Sequence, residues 1–186
     1  MIIGVDEVGR GCLAGPLVAG AVLLDKPIRG LKDSKKLTRE QRQIFDSKIR
    51  QKARAFGLGW VSAEELDAVG LTEAVRRAMQ RAVAQVQATN AEYTDIIIDG
   101  NYNFLKNIPA SRCLIKADDT IPAVSAASII AKVARDTYMI EAAKQYPGYK
   151  FESHVGYGTL FHRQALLDLG MCTLHRRSFA PIRAML

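Results

Sequence analysis

The chain has 186 residues, 48% of them hydrophobic and 24% charged, the balance of a globular chain long enough for one substantial core. No apolar run reaches the roughly 18 residues of a membrane helix, and no basic segment with an apolar stretch and cleavage site opens the chain, so neither a membrane span nor a secretory leader is expected. The net charge of +7 is concentrated in residues 26–54, where eleven Lys/Arg face three Asp/Glu, a local +8 that leaves the remainder near −1; such a patch is the footprint of a polyanionic partner.

Ile2-Ile3-Gly4-Val5 predicts a buried strand, and Asp6-Glu7 stand at its end. Acidic residues are poor strand formers, and a desolvated carboxylate is disfavoured unless paired, hydrogen-bonded or metal-bound. A hard divalent cation explains the pair, because Mg²⁺ takes oxygen ligands. Gly9-Arg10-Gly11 comes next. Glycines let a ligand approach the backbone closely, and Arg matches phosphate geometry. The opening therefore suggests a metal beside a phosphate. The blander alternative is an exposed strand end before a Gly-rich turn; carboxylates at other strand ends would decide against it. Gly9-x-Gly11-x-x-Ala14 also fits a dinucleotide-binding pattern. That fingerprint needs a helix at once, whereas Gly15-Pro16 breaks the chain.

Leu17 to Leu24 reads as a second buried strand, ended by Asp25-Lys26-Pro27. Leu31 to Leu37 is a polar, basic loop. Thr38-x-x-Gln41 is a capping box opening a helix to about Arg54, with Ile44, Phe45, Ile49 and Ala53 on its inner face and most basic residues outside. Phe56 to Val61 predicts a third strand, and the short links predict an antiparallel meander. A short helix runs from Ser62 to near Gly70. Leu71, Ala74, Val75, Ala78, Met79, Ala82, Val83 and Val86 then form a helical stripe, read as core.

Asp95 to Asp99 reads as a central strand with Asp99 at its C-terminal end. Ligands in open α/β sheets usually lie outside the carboxyl ends of strands. Cys113 to Lys116 is expected as a fifth strand, followed by Ala117-Asp118-Asp119. Carboxylates at three separate strand ends point to a shared metal site. Pro122 to about Tyr146 predicts a long, mostly apolar helix, hence a buried one. Its polar seam, Ser125, Ser128, Lys132, Arg135 and Asp136, is expected to face a site or a paired group. Residues 146–158 read as a loop rich in aromatics and glycine, in which Tyr157 could stack on a sugar or base. Thr159 caps a last helix, closed by Gly170.

Cys12, Cys113 and Cys172 are odd in number and far apart, which argues against a disulfide framework and for a reducing, cytoplasmic setting. Cys172-x-x-His175 with His162 nearby falls short of the four closely grouped ligands of a structural zinc site. With no repeat and no linker, residues 1–186 read as one domain.

Taken together, these motifs resemble the bacterial ribonuclease HII family, the type 2 ribonucleases H. The matching stretches are Asp6 to Gly11, Asp33-Ser34-Lys35-Lys36-Leu37, Ile98-Asp99-Gly100, Lys116-Ala117-Asp118, Ser125 to Val133, Gly156-Tyr157 and Arg176-Arg177-Ser178-Phe179. They occur in the family's order over nearly the whole chain. The resemblance implies an α/β, ribonuclease H-like fold with a five-stranded mixed sheet flanked by helices. It implies endonucleolytic cleavage of RNA in RNA–DNA hybrids and at single ribonucleotides in duplex DNA, with Mg²⁺ or Mn²⁺. The family's four acids map onto Asp6, Glu7, Asp99 and Asp118; Asp119 is an extra acid beside the last. The family's ribonucleotide-sensing residues map onto Gly9, Arg10, Gly11 and Tyr157. Lys35, Lys36, Ser125 and Lys132 are further candidates for substrate contact, and a monomer is expected. Cys12 stands where Pro is usual, and Val155 where Lys often precedes Gly-Tyr. Two rival classes are a catalytically silent nucleic-acid binder, which needs no carboxylate set, and a metal-dependent phosphatase, which needs no basic helix.

Overall fold

The computed structural model describes residues 1–185; Leu186 lies outside the described residues. Five strands form one sheet: β1 (Ile2–Val8), β2 (Leu17–Leu24), β3 (Ala53–Val61), β4 (Asp95–Asp99) and β5 (Ser111–Leu114), in the order β3-β2-β1-β4-β5. The first three form the expected antiparallel meander, whereas β4 and β5 join β1 in parallel. The helices are α1 (Arg39–Lys52), α2 (Ala63–Val69), α3 (Leu71–Gln87), α4 (Ala117–Thr120), α5 (Pro122–Gln145), α6 (Phe151–His154), α7 (Leu160–Leu169) and α8 (Ala180–Arg183).

Strand alternation sends successive residues to opposite faces, and β1 uses both. Ile3 and Val5 join the core under α3, with Ala74, Val75, Ala78, Met79, Ala82, Val83 and Val86 from the predicted stripe. Burying each Val or Met there is worth roughly 1.5–3 kcal/mol relative to exposure. Gly4 faces α5, where a Cβ would stand 2.1 Å from the Ala123 carbonyl carbon. That close approach brings the polar seam of α5 down onto the sheet. No helix among the described residues is long and apolar enough to cross a membrane.

Several boundaries differ from expectation. β1 does not stop at Val5: Asp6, Glu7 and Val8 pair with Gly20, Ala19 and Val18 of β2. β3 starts at Ala53, because Ala53 pairs with Leu24 across a register shift and leaves the helix. Ile44, expected on the inner face of α1, is 55% exposed, and Ile49 is the helix's buried residue. β5 is Ser111–Leu114 rather than 113–116, fixed by its register on β4. The apolar pair Leu114-Ile115 misplaces it, since on this edge both are exposed. Asp118 and Asp119 therefore sit on α4, after a left-handed turn at Lys116 (φ +58°), and not at a strand end. α6 interrupts the expected aromatic loop, and α8 follows Gly170.

Candidate active site

β1 outruns its parallel neighbour. The last paired residues are Val5 and Ile98, so Asp6 stands level with Asp99, the last residue of β4, and Glu7 passes its end while β2 still holds the backbone of both. Adjacent strand residues would ordinarily serve opposite faces. Here both line one cleft of about 200 Å³, with Gly9, Arg10, Gly11, Ser34, Lys35, Ser128, Lys132 and Tyr157. The strand runs on to Val8 and β4 ends level with Asp6, so the cleft opens where Glu7 has no parallel neighbour. Burial, then the charges of Glu7 and Asp99, hold the Asp6 carboxyl well above the usual carboxylate range, against the pull of the Ser128 hydroxyl and the Glu7 amide. The Glu7 N–H donates to Asp6 Oδ1 at 2.8 Å. Burial and the Asp99 charge likewise raise Glu7, opposed by Arg10, whose Nη1 lies 3.5 Å from Glu7 Oε1.

Asp99 ends β4 and builds the next piece of the site. Its Oδ1 accepts from the N–H groups of Ala117 (2.8 Å) and Asp118 (3.4 Å), pinning the first turn of α4. Asp118, buried on that turn, is raised by burial and by the charges of Asp99 and Asp33, and lowered by Lys35. Ser125 is buried in the first turns of α5 and donates its hydroxyl to the Asp118 carbonyl at 2.6 Å. It holds the acid's backbone. Asp99, Asp118 and Asp119 line a second cleft beside the first, and Lys35 lines both. Lys35 Nζ is 3.8 Å from Asp118 Oδ2, and Lys36 pairs with Asp119. A short 3₁₀ turn, Ser34–Lys36, presents both lysines, with Asp33 Oδ1 accepting from the Lys35 N–H at 3.0 Å.

The Gly9–Gly11 turn and Tyr157 line the same first cleft. Gly9 has φ +86°, and a Cβ there would meet Arg135 Nε at 2.3 Å; the fold itself requires glycine. Gly11 is different: nothing stands within 4 Å of where its Cβ would be. Tyr157 is 40% exposed, with Lys132 Nζ 5.5 Å from its ring centroid. Lys132 in turn pairs with Asp136 at 2.8 Å. The structure thus gathers Asp6, Glu7, Gly9, Arg10, Gly11, Lys35, Lys132 and Tyr157 around one cleft and Asp99 and Asp118 around its neighbour, with Lys36 at the margin and Ser125 beneath.

The sequence did not single out Phe104, over whose ring the Arg10 guanidinium lies at 5.7 Å, or Arg42, whose Nη1 donates to the Ser34 and Leu37 carbonyls at 3.0 and 2.7 Å. Neither belongs to a motif spacing; both are brought in by tertiary packing. Cys172 Sγ approaches His175 Nδ1 (3.2 Å), whereas His162 Nε2 meets His175 Nε2 (3.1 Å). The thiol and His162 therefore address opposite nitrogens of one ring.

Among the described residues no three His, Cys, Asp or Glu side chains converge closely enough to cage an ion unaided. The donor chemistry nonetheless fits a hard cation: the acids are oxygen-only, Asp6 and Asp118 buried and Glu7 and Asp99 half-buried, and they repel one another. Mg²⁺ usually keeps several waters and takes one or two carboxylates plus substrate oxygens, so an open, incomplete set suits it.

A five-stranded mixed sheet in this order, flanked by helices, is the ribonuclease H-like fold. The crystal structure of the ribonuclease H2 from Pyrococcus horikoshii OT3 matches with a TM-score of 0.83 and 28% identity, over 99% of this chain and 96% of that one. A chain of the PCNA:RNase HII complex from Archaeoglobus fulgidus matches at 0.77 and 26%, over 96% and 95%. The ribonuclease HII of Polynucleobacter asymbioticus is 47% identical over all of this chain and 95% of its own length. Residues 3–182 match the family model of ribonuclease HII. The chain belongs to the ribonuclease HII family; it is a nuclease and a hydrolase, and the activity that goes with this membership is endonucleolytic cleavage of RNA in RNA–DNA hybrids.

Proposed function

We propose that this ribonuclease also cuts at single ribonucleotides embedded in duplex DNA, and so serves ribonucleotide removal in DNA repair and replication. It acts as a single-domain cytoplasmic monomer, with Asp6, Glu7, Asp99 and Asp118 as catalytic and metal-binding acids for Mg²⁺ or Mn²⁺. The observation that carries the reading is the adjoining of two unlike groups: a repelling set of buried and half-buried carboxylates and, in the same cleft as Asp6 and Glu7, an Arg between glycines together with an exposed tyrosine.

When bound, a pair of divalent cations supplies Lewis acidity that activates a water and offsets charge on the leaving 3′ oxygen, giving 5′-phosphate and 3′-hydroxyl ends. The chain's own residues position the substrate, which is where most of the rate of phosphoryl transfer arises. Arg10 is free to exchange its long contact with Glu7 for a phosphate, where its fork fits better. Gly11 leaves its backbone open to a 2′-hydroxyl, which is both donor and acceptor. Tyr157 packs on the sugar, and Lys132 supports its ring. Lys35 and Lys36 bring positive charge to the strand that passes the acids.

The test is incubation with duplex DNA containing one ribonucleotide, with Mg²⁺, with Mn²⁺ and with EDTA. Cleavage at the ribonucleotide with either cation, absent in EDTA, is expected. Cleavage of a long hybrid without cleavage of the embedded ribonucleotide would overturn the reading.

A further inference from the structure

Two arginines are wholly buried, and among the described residues neither makes an ion pair: Arg135 on α5 and Arg176 in the tail. A buried charge is costly unless paired or fully hydrogen-bonded. Here every hydrogen-bond partner is a backbone carbonyl, and the two guanidinium groups lie over the Tyr157 and Phe179 rings. Arg135 Nε donates to Pro16 O (2.8 Å), Nη1 to Val155 O (2.8 Å) and Nη2 to Ala14 O (3.0 Å). Arg176 Nε and Nη2 donate to Gly15 O (3.0 and 2.9 Å), and Nη1 to Arg10 O (3.2 Å).

Arg135 ties together two loops that lack regular structure, through Ala14 and Pro16 on one and Val155 on the other, and Arg176 braces the first from within through Arg10 and Gly15. One, residues 9–16, carries Arg10 and Gly11; the other carries Tyr157. Three backbone bonds support the junction: Leu13 N–H to Gly156 O at 2.9 Å, Ala14 N–H to the same oxygen at 3.3 Å, and Arg176 N–H to Leu13 O at 2.9 Å. Val155 is held at φ +44°, an outlier for a β-branched residue that needs over-determination by its surroundings. Arg135 supplies part of it through the Val155 carbonyl.

The peptide plane carries the consequence to the cleft. In a trans peptide the carbonyl and the following N–H point opposite ways. By drawing the Arg10 carbonyl inward, Arg176 turns the Gly11 N–H outward. That N–H donates to no group among the described residues, and Gly11 lines the cleft.

We infer that Arg135 and Arg176 are positioning residues for ribonucleotide selection: they fix the Gly11 N–H and Tyr157 at one spacing, so that one 2′-hydroxyl and its sugar meet both. This rests on the proposed reading of Gly9–Gly11 and Tyr157 as the ribonucleotide grip. It also explains two cations retained in the interior where a carboxylate partner or an apolar side chain would be cheaper.

Arg176→Lys and Arg135→Lys keep the charge but lose the fork that holds several carbonyls. Single-turnover rates are compared on duplex DNA with one ribonucleotide and on a long RNA–DNA hybrid, with circular dichroism as the fold control. Each variant is expected to lose at least tenfold on the lone ribonucleotide and less than threefold on the hybrid. Equal losses on both substrates would overturn the inference. So that it does not depend on a variant folding, amide exchange is followed in the unaltered protein, without divalent cation, as a duplex with one ribonucleotide is added. Segments 9–16 and 153–158 should gain protection together, and neither should with an all-DNA duplex at equal occupancy. Protection of one segment alone would sink it. Tyr157→Ala separates the two claims: if that variant loses equally on both substrates the grip reading itself fails, and if it is selective while the Lys variants are not, only the clamp fails.

Discussion

Gly9 and Gly11 stand two residues apart and are glycine for different reasons. At position 9 the backbone is left-handed, and a methyl group would strike the Arg135 side chain and approach the Pro16 carbonyl at 2.9 Å. Gly9→Ala should therefore unfold at lower denaturant, by more than about 1–2 kcal/mol. Position 11 has open space, so Gly11→Ala should stay within about 0.5 kcal/mol of the parent in a urea melt. Its cost should appear in kcat/KM on a lone ribonucleotide, about tenfold, because the methyl occupies room the substrate needs. An unaffected kcat/KM would show that the opening faces bulk solvent only. The acids allow a prediction of opposite sign for stability and activity. Asp6 is buried against Glu7 and Asp99 and resists ionisation, so in metal-free buffer at pH 7.5 Asp6→Asn should raise the melting temperature by a few degrees. Cleavage should fall by several orders of magnitude, since Asn removes the charge that a cation requires. Near-normal turnover would contradict the assignment of Asp6, and a lowered melting temperature would contradict the account of its burial.

At the scale of elements, the tail and the α6–α7 hairpin are joined by imidazoles. The chain has three histidines, and all three meet here. His154 and His162 stack with centroids 4.4 Å apart, His162 Nε2 meets His175 Nε2 at 3.1 Å, and His162 Nδ1 bonds the Tyr157 carbonyl at 2.9 Å. Burial, then the charge of His162, pushes His175 down to about 4, and burial lowers His162. A histidine depressed in the folded state is stabilising above its unfolded value near 6.5, and that stability is lost as pH falls toward 4. Asp6, Glu7 and Asp118 act the other way without metal: raised carboxyls bind protons more tightly when folded, so acidification favours the fold through them. The difference between parent and His175→Gln isolates the histidine contribution. Urea midpoints in EDTA at pH 7.5 and 5.0 should show the parent losing more stability on acidification than the variant; parallel pH profiles would refute it. The sequence set His162 near Cys172-x-x-His175, but His154's stacking on His162 was illegible, because residues 154, 162 and 175 follow no single period. The periodic elements were legible for the converse reason. The α3 stripe and the capping box at Thr38 and Gln41 are local signals that tertiary packing did not override. β5 was misplaced by two residues because an exposed apolar pair on an edge looks like a buried one.

At the scale of the whole molecule, acids and bases confront one another across the two clefts. Asp6, Glu7, Asp99 and Asp118 were legible as strand-end carboxylates even though α4, not a strand, carries the last; a turn pinned by Asp99 serves the same end. Hidden from the sequence were the pairings of its basic stretch. Of the eleven Lys/Arg in residues 26–54, Lys35 and Lys36 point at the acids, toward Asp118 and Asp119. Burial aside, the charges of Asp33, Asp118, Asp6 and Asp99 all raise Lys35, so its ammonium neutralises the site that a divalent cation would fill. The two roles cannot be held at once. A cation held at Asp118 would free Lys35 toward phosphate, and its charge would loosen Lys36 from the neighbouring Asp119; without one, both would stay with their acids. Salt dependence of binding reads this directly, since each phosphate contact adds about −0.9 to the slope of log affinity against log salt on duplex DNA. Lys35→Ala/Lys36→Ala should flatten that slope by up to about 2 when measured with Ca²⁺, used as a cation probe that permits binding to be followed. In EDTA the same substitution should change the slope little, and affinity should fall because two uncovered carboxylates then repel the duplex. An unchanged slope in Ca²⁺ would make the two lysines a neutralising pair only and leave phosphate contact to the remaining basic residues of α1 and its preceding loop.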